Sequence, residues 1–275
     1  MNKSRRALLA RHKDKCLDLN DLEMGFIAGV VDSAASFTCT TENDHLHWMI
    51  RVCSRNANFI VALRTMTGVG EFLENDNKKQ IFWRLGILNG YFLMIKILPF
   101  LQIKQRHAKL MIDYREQSLI TKIKNLDMYA KEMRKLNDKQ SFVKKRFNDD
   151  AFIGYFFGLL ETKGMTMIMS NGPIIALSDV DAQILKEIKT RIGGTINNDA
   201  IIWHDWEQFN FIYKLTENKL FSLQEPMKMI KQYEEGKLSV EELIKKSEDI
   251  PKTYQKIDIK NLMTKIDELA KSLKS

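Results

Sequence analysis

The chain has 275 residues and a formal net charge of +8. It is long enough for two ordinary cores, and its charge calls for an anionic partner, nucleic acid being the commonest. No apolar run approaches the ~20 residues of a membrane span; the longest, around residues 91–101, is broken by Lys96 and Pro99. Cys16, Cys39 and Cys53 form an odd set without metal-ligand spacing. That argues for reduced thiols in an intracellular compartment, cytoplasm or organelle matrix, and against a disulfide framework.

Residues 1–22 read as a basic arm, with Lys3, Arg5, Arg6, Arg11, Lys13 and Lys15 ahead of the first apolar stretch. The same composition also fits an organellar targeting peptide, although it lacks Ser-rich length. Residues 25–35 are an apolar helix with Ala28 and Gly29 inside it. A glycine there costs about 1 kcal/mol against alanine, and the usual return is close approach of a second helix.

Residues 36–40 and 45–52 alternate in polarity and predict a hairpin with one buried face. With Leu46, Trp48, Ile50 and Val52 inward, His47, Met49, Arg51 and Cys53 point the other way. Residues 56–66 have helical spacing and stop before Gly68. Residues 69–73 and 80–85 form a second hairpin, with Trp83 inward and Phe82 and Arg84 outward. Two helices follow, the second from about 104 to 117, giving the order αββαββα. Residues 121–149 hold many cations and neither Pro nor Gly, which predicts a basic, partly helical linker along the outside.

The second half repeats the pattern more roughly. Residues 152–165 echo the first helix, with Phe157 and Gly158 inside it. Strands are expected at 165–169, 174–177, 195–197 and 201–204, and helices at 179–192, N-capped by Ser178, and at 207–220. Residues 239–250 and 257–273 read as amphipathic helices. His45 and His47 share a strand face, but without partners at ligand spacing they make no metal site, and no cofactor is expected.

The two small-residue helices resemble the motif of the LAGLIDADG homing endonucleases and intron maturases in their single-chain, two-repeat form. Ile27 to Ala35 fall on the nine motif positions of the first copy and Phe156 to Gly164 on those of the second. The run Leu98-Pro99-Phe100-Leu101-Gln102-Ile103-Lys104-Gln105 is similar to the family's PFL-x-x-K segment, and no second such segment appears. The resemblance covers residues ~23 to ~220, at the spacing these domains normally have. It implies an α+β fold of two pseudo-symmetric αββαββα domains with saddle-shaped antiparallel sheets, at 23–120 and 150–235. The basic linker 121–149 joins them, a helical extension follows at 236–275, and the whole is a monomer with an internal pseudo-twofold axis. Ala28, Gly29, Phe157 and Gly158 would pack the motif helices together.

In active members the eighth motif position is an Asp or Glu, and the pair holds divalent cations for phosphodiester hydrolysis. Here those positions are Ala34 and Lys163, which cannot. Asp32 and Glu161 lie two residues earlier, ~200° around the helix, and face elsewhere. The expectation is a pseudo-endonuclease that grips nucleic acid on its sheet face without cutting it. Candidate contacts are Arg51, Arg55, Arg84, Lys104, Arg106, Lys163, His47 and Phe82, with Lys163 meeting a phosphate directly. RNA is favoured over DNA, because relatives of this fold act as intron maturases and an outward aromatic suits unpaired bases. A DNA-binding protein or residual endonuclease, and a scaffold that binds protein through its C-terminal helices, remain as alternatives.

Overall fold

The computed structural model describes residues 18–42, 45–75, 80–139, 141–169 and 172–246. The basic arm up to residue 17 with Cys16, the tips of three hairpins and the predicted helix 257–273 lie outside them. The first half runs α1 (Asp21–Ala34), β1 (Ala35–Glu42), β2 (His45–Ser54), α2 (Ala57–Thr67), β3 (Glu71–Asn75), β4 (Gln80–Gly86), α3 (Ile87–Ile97) and α4 (Gln105–Glu116). Helices α5 (Leu119–Lys124) and α6 (Leu126–Asp138) follow. The second half runs α7 (Asp149–Lys163), β5 (Gly164–Met169), β6 (Gly172–Leu177), α8 (Ala182–Ile192), β7 (Thr195–Asn197), β8 (Ala200–Trp203), α9 (Trp206–Thr216) and α10 (Gln224–Glu234). Each half holds a four-stranded antiparallel sheet, in the orders β1-β2-β4-β3 and β5-β6-β8-β7. The two orders are the same permutation, so the repeat read from the helices extends to the sheets.

Local chemistry sets the boundaries. Asn20 caps α1 by accepting from the Glu23 amide at 2.9 Å while the Glu23 carboxylate accepts from the Asn20 amide at 2.9 Å. That reciprocal pair satisfies two donors the helix start leaves open. Helix α2 stops at Gly68, whose φ of 65° suits a residue without Cβ. Helix α8 begins at Ala182, three residues later than the sequence suggests: Asp179 sits at φ 55°, and Asp181, not Ser178, accepts from the Gln183 amide at 2.8 Å.

Two further corrections concern what lies outside the motif. The expected outer linker contains α6, and α6 belongs to the first core: Tyr129, Ala130 and Met133 are buried. The Tyr129 ring stands edge-on to Tyr114 at 5.1 Å, and the Asn137 side chain donates to the Phe37 carbonyl at 2.9 Å. The basic residues alternate with an apolar i, i+1, i+4 stripe, and the stripe decides the packing. Helix α10 was not expected at all. It takes in the second half the place that α4 takes in the first, following a tight turn after α9.

The halves meet along α1 and α7, where the backbones all but touch. A Cβ added to Gly25 would lie 2.1 Å from the Ala151 carbonyl oxygen, and one added to Gly29 2.3 Å from that of Tyr155. From the other side, a Cβ on Gly154 would lie 1.9 Å from the Leu22 oxygen and one on Gly158 2.2 Å from that of Phe26. The seam is therefore two glycines per helix at a spacing of four residues. Ala28 and Phe157, expected there, are buried in the core, and Gly25 and Gly154 are the further contacts. Gly158→Ala supplies a test by sign. Helix propensity alone favours alanine by about 1 kcal/mol, whereas overpacking against a rigid backbone costs about 3 kcal/mol. Thermal melting is expected to show a lowered midpoint for Gly158→Ala and Gly29→Ala.

Candidate nucleic-acid interface

Sheet register assembles the predicted surface of the first half. Ser36 pairs with Arg51, Arg51 with Arg84 and Arg84 with Glu71, so one row crosses all four strands on the face away from the core. The next row outward of the helix pair joins Thr38, Met49 and Gly86, and on the other side Cys53, Phe82 and Leu73 make a third. The intervening residues Phe37, Ile50, Val52, Trp83 and Leu85 are buried, so the alternation separates the faces as the sequence suggests. Arg84 is tied to Glu71 at 2.5 Å. Arg51 is half-buried in the row, His47 is exposed two rows away opposite Thr40, and Arg55 is exposed just past β2. Phe82 presents part of its ring beside Arg84.

Beside this face lies the foot of the helix pair. The hydroxyls of Ser33 and Thr162, the seventh motif positions, meet at 2.5 Å. The eighth positions follow: Ala34, half-buried, and Lys163, whose ammonium lies 3.7 Å from the Asp179 carboxylate. This donor set does not suit a divalent cation. Ala34 offers no oxygen, and the nearby acid is already balanced by an ammonium. Among the described residues no group of three or more His, Cys, Asp or Glu side chains is gathered as for a metal ion.

The sixth motif positions have a different role. Asp32 is buried and accepts from the amides of Gln102 and Lys104, both at 2.7 Å, and from the Tyr155 hydroxyl at 2.8 Å. Glu161 is buried and accepts from the amides of Phe221 and Ser222 at 2.7 and 2.9 Å, and from the Ser222 hydroxyl at 2.5 Å. Each carboxylate thus fixes the turn that starts α4 or α10. The turn at 220–223 is the second-half counterpart of the PFL segment, missed because its residues differ while its backbone hydrogen bonds do not. Its Leu223 stands at the N-cap of α10, where Lys104 stands at that of α4.

Lys104 itself is buried, its charge disfavoured by burial and supported by Asp32. It lies inside the first half rather than on its surface, whereas Arg106, two residues on, is exposed. His107 is buried against Phe37 at 5.3 Å.

The second sheet presents a contrasting face. Met165, Met167 and Met169 project from β5 and are exposed, beside Ile174 and Ala176 of β6 and Ile202 of β8. None of the residues of β5 to β8 is charged. Sequence periodicity could have shown this apolar ladder, since the three methionines alternate.

This architecture is the fold of the two-repeat LAGLIDADG homing endonucleases. The chain is similar to the solved structure of the LAGLIDADG homing endonuclease I-GzeII in complex with its DNA target: TM-score 0.61 and 13% identity over 85% of this chain and 97% of that one. It is also similar to the meganuclease I-AabMI bound to uncleaved DNA, with TM-score 0.60 and 12% identity over 85% and 98% of the two chains. A third is the meganuclease I-SmaMI bound to uncleaveable DNA with a TTCT central four, with TM-score 0.58 and 14% identity over 78% and 90%. At these identities the likeness is one of fold. No protein-family model and no curated protein matches the chain.

The buried groups make opposing demands on pH. Burial, and then Lys104, hold His107 down at about 4 from an ordinary 6.5, so its contribution to stability is lost as pH falls from 6.5 through about 4. Burial raises Glu161 from 4.5 to about 7, against its hydrogen bonds, so its contribution is lost as pH rises from 4.5 through about 7. Asp32, raised by burial, acts in the same direction as Glu161. Unfolding free energies from urea titrations near pH 5 and pH 7.5 are expected to diverge between variants, by up to about 3 kcal/mol. Glu161→Gln becomes relatively weaker at the acid pH than wild type, and His107→Phe relatively stronger.

Proposed function

We propose that this chain is a non-cleaving nucleic-acid-binding protein that holds its ligand on the outer face of the first sheet. One observation carries the reading: the foot of the helix pair presents Ala34 and Lys163 while the adjoining sheet face keeps Arg51 and Arg84. Phosphate binding needs cations and shape, and hydrolysis by bound metal needs carboxylates; the first set is present without the second. The surviving acids do not supply a substitute, because Asp32 and Glu161 are each engaged by two backbone amides and a hydroxyl. Asp179 is balanced by Lys163, so the centre is close to neutral where two bare carboxylates would repel a phosphate. The DNA-bound structures of similar fold support a polyanion as ligand.

RNA is the preferred ligand over DNA. A long duplex laid across both sheets meets phosphates on either side, and the strands of the second sheet offer no charge to meet them. Folded RNA is held through shape and a local set of phosphate and hydroxyl contacts, which one cationic half can supply. Phe82 beside Arg84 suits an unpaired base.

A second reading is favoured by the methionine ladder. Exposed, flexible apolar side chains in a contiguous face are a common way of docking protein, and the second sheet serves a protein partner if it does not touch the nucleic acid. The charge change Met167→Glu separates the two uses. It weakens RNA binding if the ligand spans both sheets and leaves it unchanged if that face belongs to a protein.

The main test is a set of gel shifts with folded RNA, single-stranded RNA and duplex DNA at two salt concentrations. Folded RNA is expected to bind most tightly with a steep salt dependence, and Arg51→Glu with Arg84→Glu to weaken it at least about tenfold, near the lower range of a lost phosphate pair. Preferential binding of duplex DNA would sink the RNA preference. Supercoiled plasmid with Mg²⁺ is expected to stay intact with the wild-type chain; nicking would overturn the non-cleaving reading. Ala34→Asp with Lys163→Asp is the complementary variant, with nicking expected to appear.

A further inference from the structure

A second cationic surface lies on the helix side of the second sheet, away from its methionine face. The extended segment 141–148 leaves α6 and runs beside the turn that Asp32 fixes, where the Val143 amide donates to the Gln102 carbonyl at 2.8 Å. Its far end is pinned by Phe147, buried against Phe100, Phe152 and Tyr155 with ring centroids 6.1, 6.1 and 5.1 Å away. With Phe147 inward, Lys144 and Arg146 on either side of Lys145 are exposed. Across from them stands α8, whose Ile184, Leu185 and Ile188 are buried beneath the second sheet. The core face of that sheet and α8 therefore separate this surface from the methionine ladder.

Between segment and helix lies a cleft of about 610 Å³. Lys144, Lys145, Arg146, Lys186 and Arg191 line it, with Glu187 the one acid among the lining residues. Arg191 is already engaged: it lies 3.4 Å from Glu187, 3.6 Å from Asp149 and 4.4 Å above the Phe152 ring. Among the described residues the other four cations form no salt bridge, and Asp32 supports Lys145 only from a distance. A run of basic residues on a free linker spreads its charges into water, but here one wall is pinned by Phe147 and the other is a helix, so the repulsion is built in. Lys145 is half-buried, its charge disfavoured first by burial and then by Lys109, with Asp32 partly offsetting them.

We propose that this cleft is a second binding site, which takes the phosphate backbone of a single-stranded nucleic acid. Three cations on one wall and Lys186 on the other, none in a salt bridge, match a polyanion rather than one phosphate. A cleft of this volume holds a few nucleotides of a strand and is too small to seat a duplex. Phe142 also lines it, giving the combination of cationic groove and aromatic that sequence-independent strand binding uses. The site stands independently of the sheet-face reading, and a chain with both can hold a folded element on one side and its single-stranded extension on the other.

The test is fluorescence anisotropy with a short labelled oligouridine and a labelled RNA hairpin. The proteins are wild type, the exposed back-face variant K144E/R146E/K186E and the sheet-face variant R51E/R84E, with circular dichroism melts to confirm each fold. The back-face variant is expected to bind oligouridine at least about tenfold more weakly and to lose about two units of log–log salt slope, the contribution of three cations on a single strand. The sheet-face variant is expected to bind oligouridine as wild type does. Unchanged oligouridine binding in the back-face variant, or its loss in the sheet-face variant instead, overturns the proposal. So does displacement of oligouridine by tripolyphosphate at matched charge, which would make this a compact phosphate site. Failure of the hairpin to bind any protein counts against the sheet-face reading alone, because the oligouridine comparison still reads the cleft.

Discussion

Two helix backbones in direct contact govern this structure. Gly25, Gly29, Gly154 and Gly158 each stand where any side chain would enter the opposing helix, and the contact leaves only one relative placement of α1 and α7. Each helix runs straight into the first strand of its sheet, with Ala34 followed by β1 and Lys163 by β5. Fixing the helices therefore fixes both sheets, and the cationic face of one and the methionine face of the other become parts of one surface. The hydroxyl pair of Ser33 and Thr162 continues the seam to its foot, where residues without long side chains are still required. Glycine here gives up intrinsic helix stability for geometry.

The same geometry explains what Asp32 and Glu161 hold at the flanks of the two helices. The seam stripe follows positions 25, 29 and 33, and residue 32 lies about 60° from its mean direction, toward the flank of the helix. A turn of the chain arrives there with backbone amides that no secondary structure satisfies, and a buried carboxylate accepts two of them together with a hydroxyl. Unmade buried hydrogen bonds cost more than made ones contribute, so the acid is best understood as removing a penalty at each turn. The anchors also cross between halves. Tyr155 of α7 donates to Asp32 of α1, and the Asn56 side chain, which caps α2, donates to the Phe221 carbonyl at 2.9 Å in the opposite half. Each anchoring turn thus also receives a hydrogen bond from the opposite half.

What was legible in the sequence follows from which features repeat at short range. Alternation separated Trp48, Ile50 and Val52 from Met49 and Arg51, because a strand with one wet face has a period of two. The glycine pairs were visible in both helices, though their partners were not: only three dimensions show that Gly25 and Gly154 touch backbone while Ala28 and Phe157 join the core. The burial of Lys104 could not be read, since the Asp32 that accompanies it is 72 residues away. Residues 220–223 escaped notice for a related reason: a turn held by its amides leaves its side chains free to differ, and here leucine stands where the first half has lysine. Helix α6 hid beneath its lysines, because a count of charges ignores the face they occupy.

The difference between the two sheets bears on what the surface can hold. Pseudo-symmetry at the level of fold gives two similar curved faces at a fixed angle, and a ligand with twofold character would ask the same of each. The first answers with a row of Ser36, Arg51, Arg84 and Glu71, in which an ion pair between Arg84 and Glu71 restrains one arginine and leaves Arg51 the more available charge. The second answers with three methionines, two isoleucines and no charge on its strands. Phosphates laid over that face would lose water and gain no cation, a penalty that grows with each one desolvated. A ligand that is charged over one half and presents base faces or apolar side chains over the other incurs no such penalty. In the function we propose, this asymmetry between the two faces is the reason to favour a folded RNA, or an RNA held together with a protein, over a plain duplex.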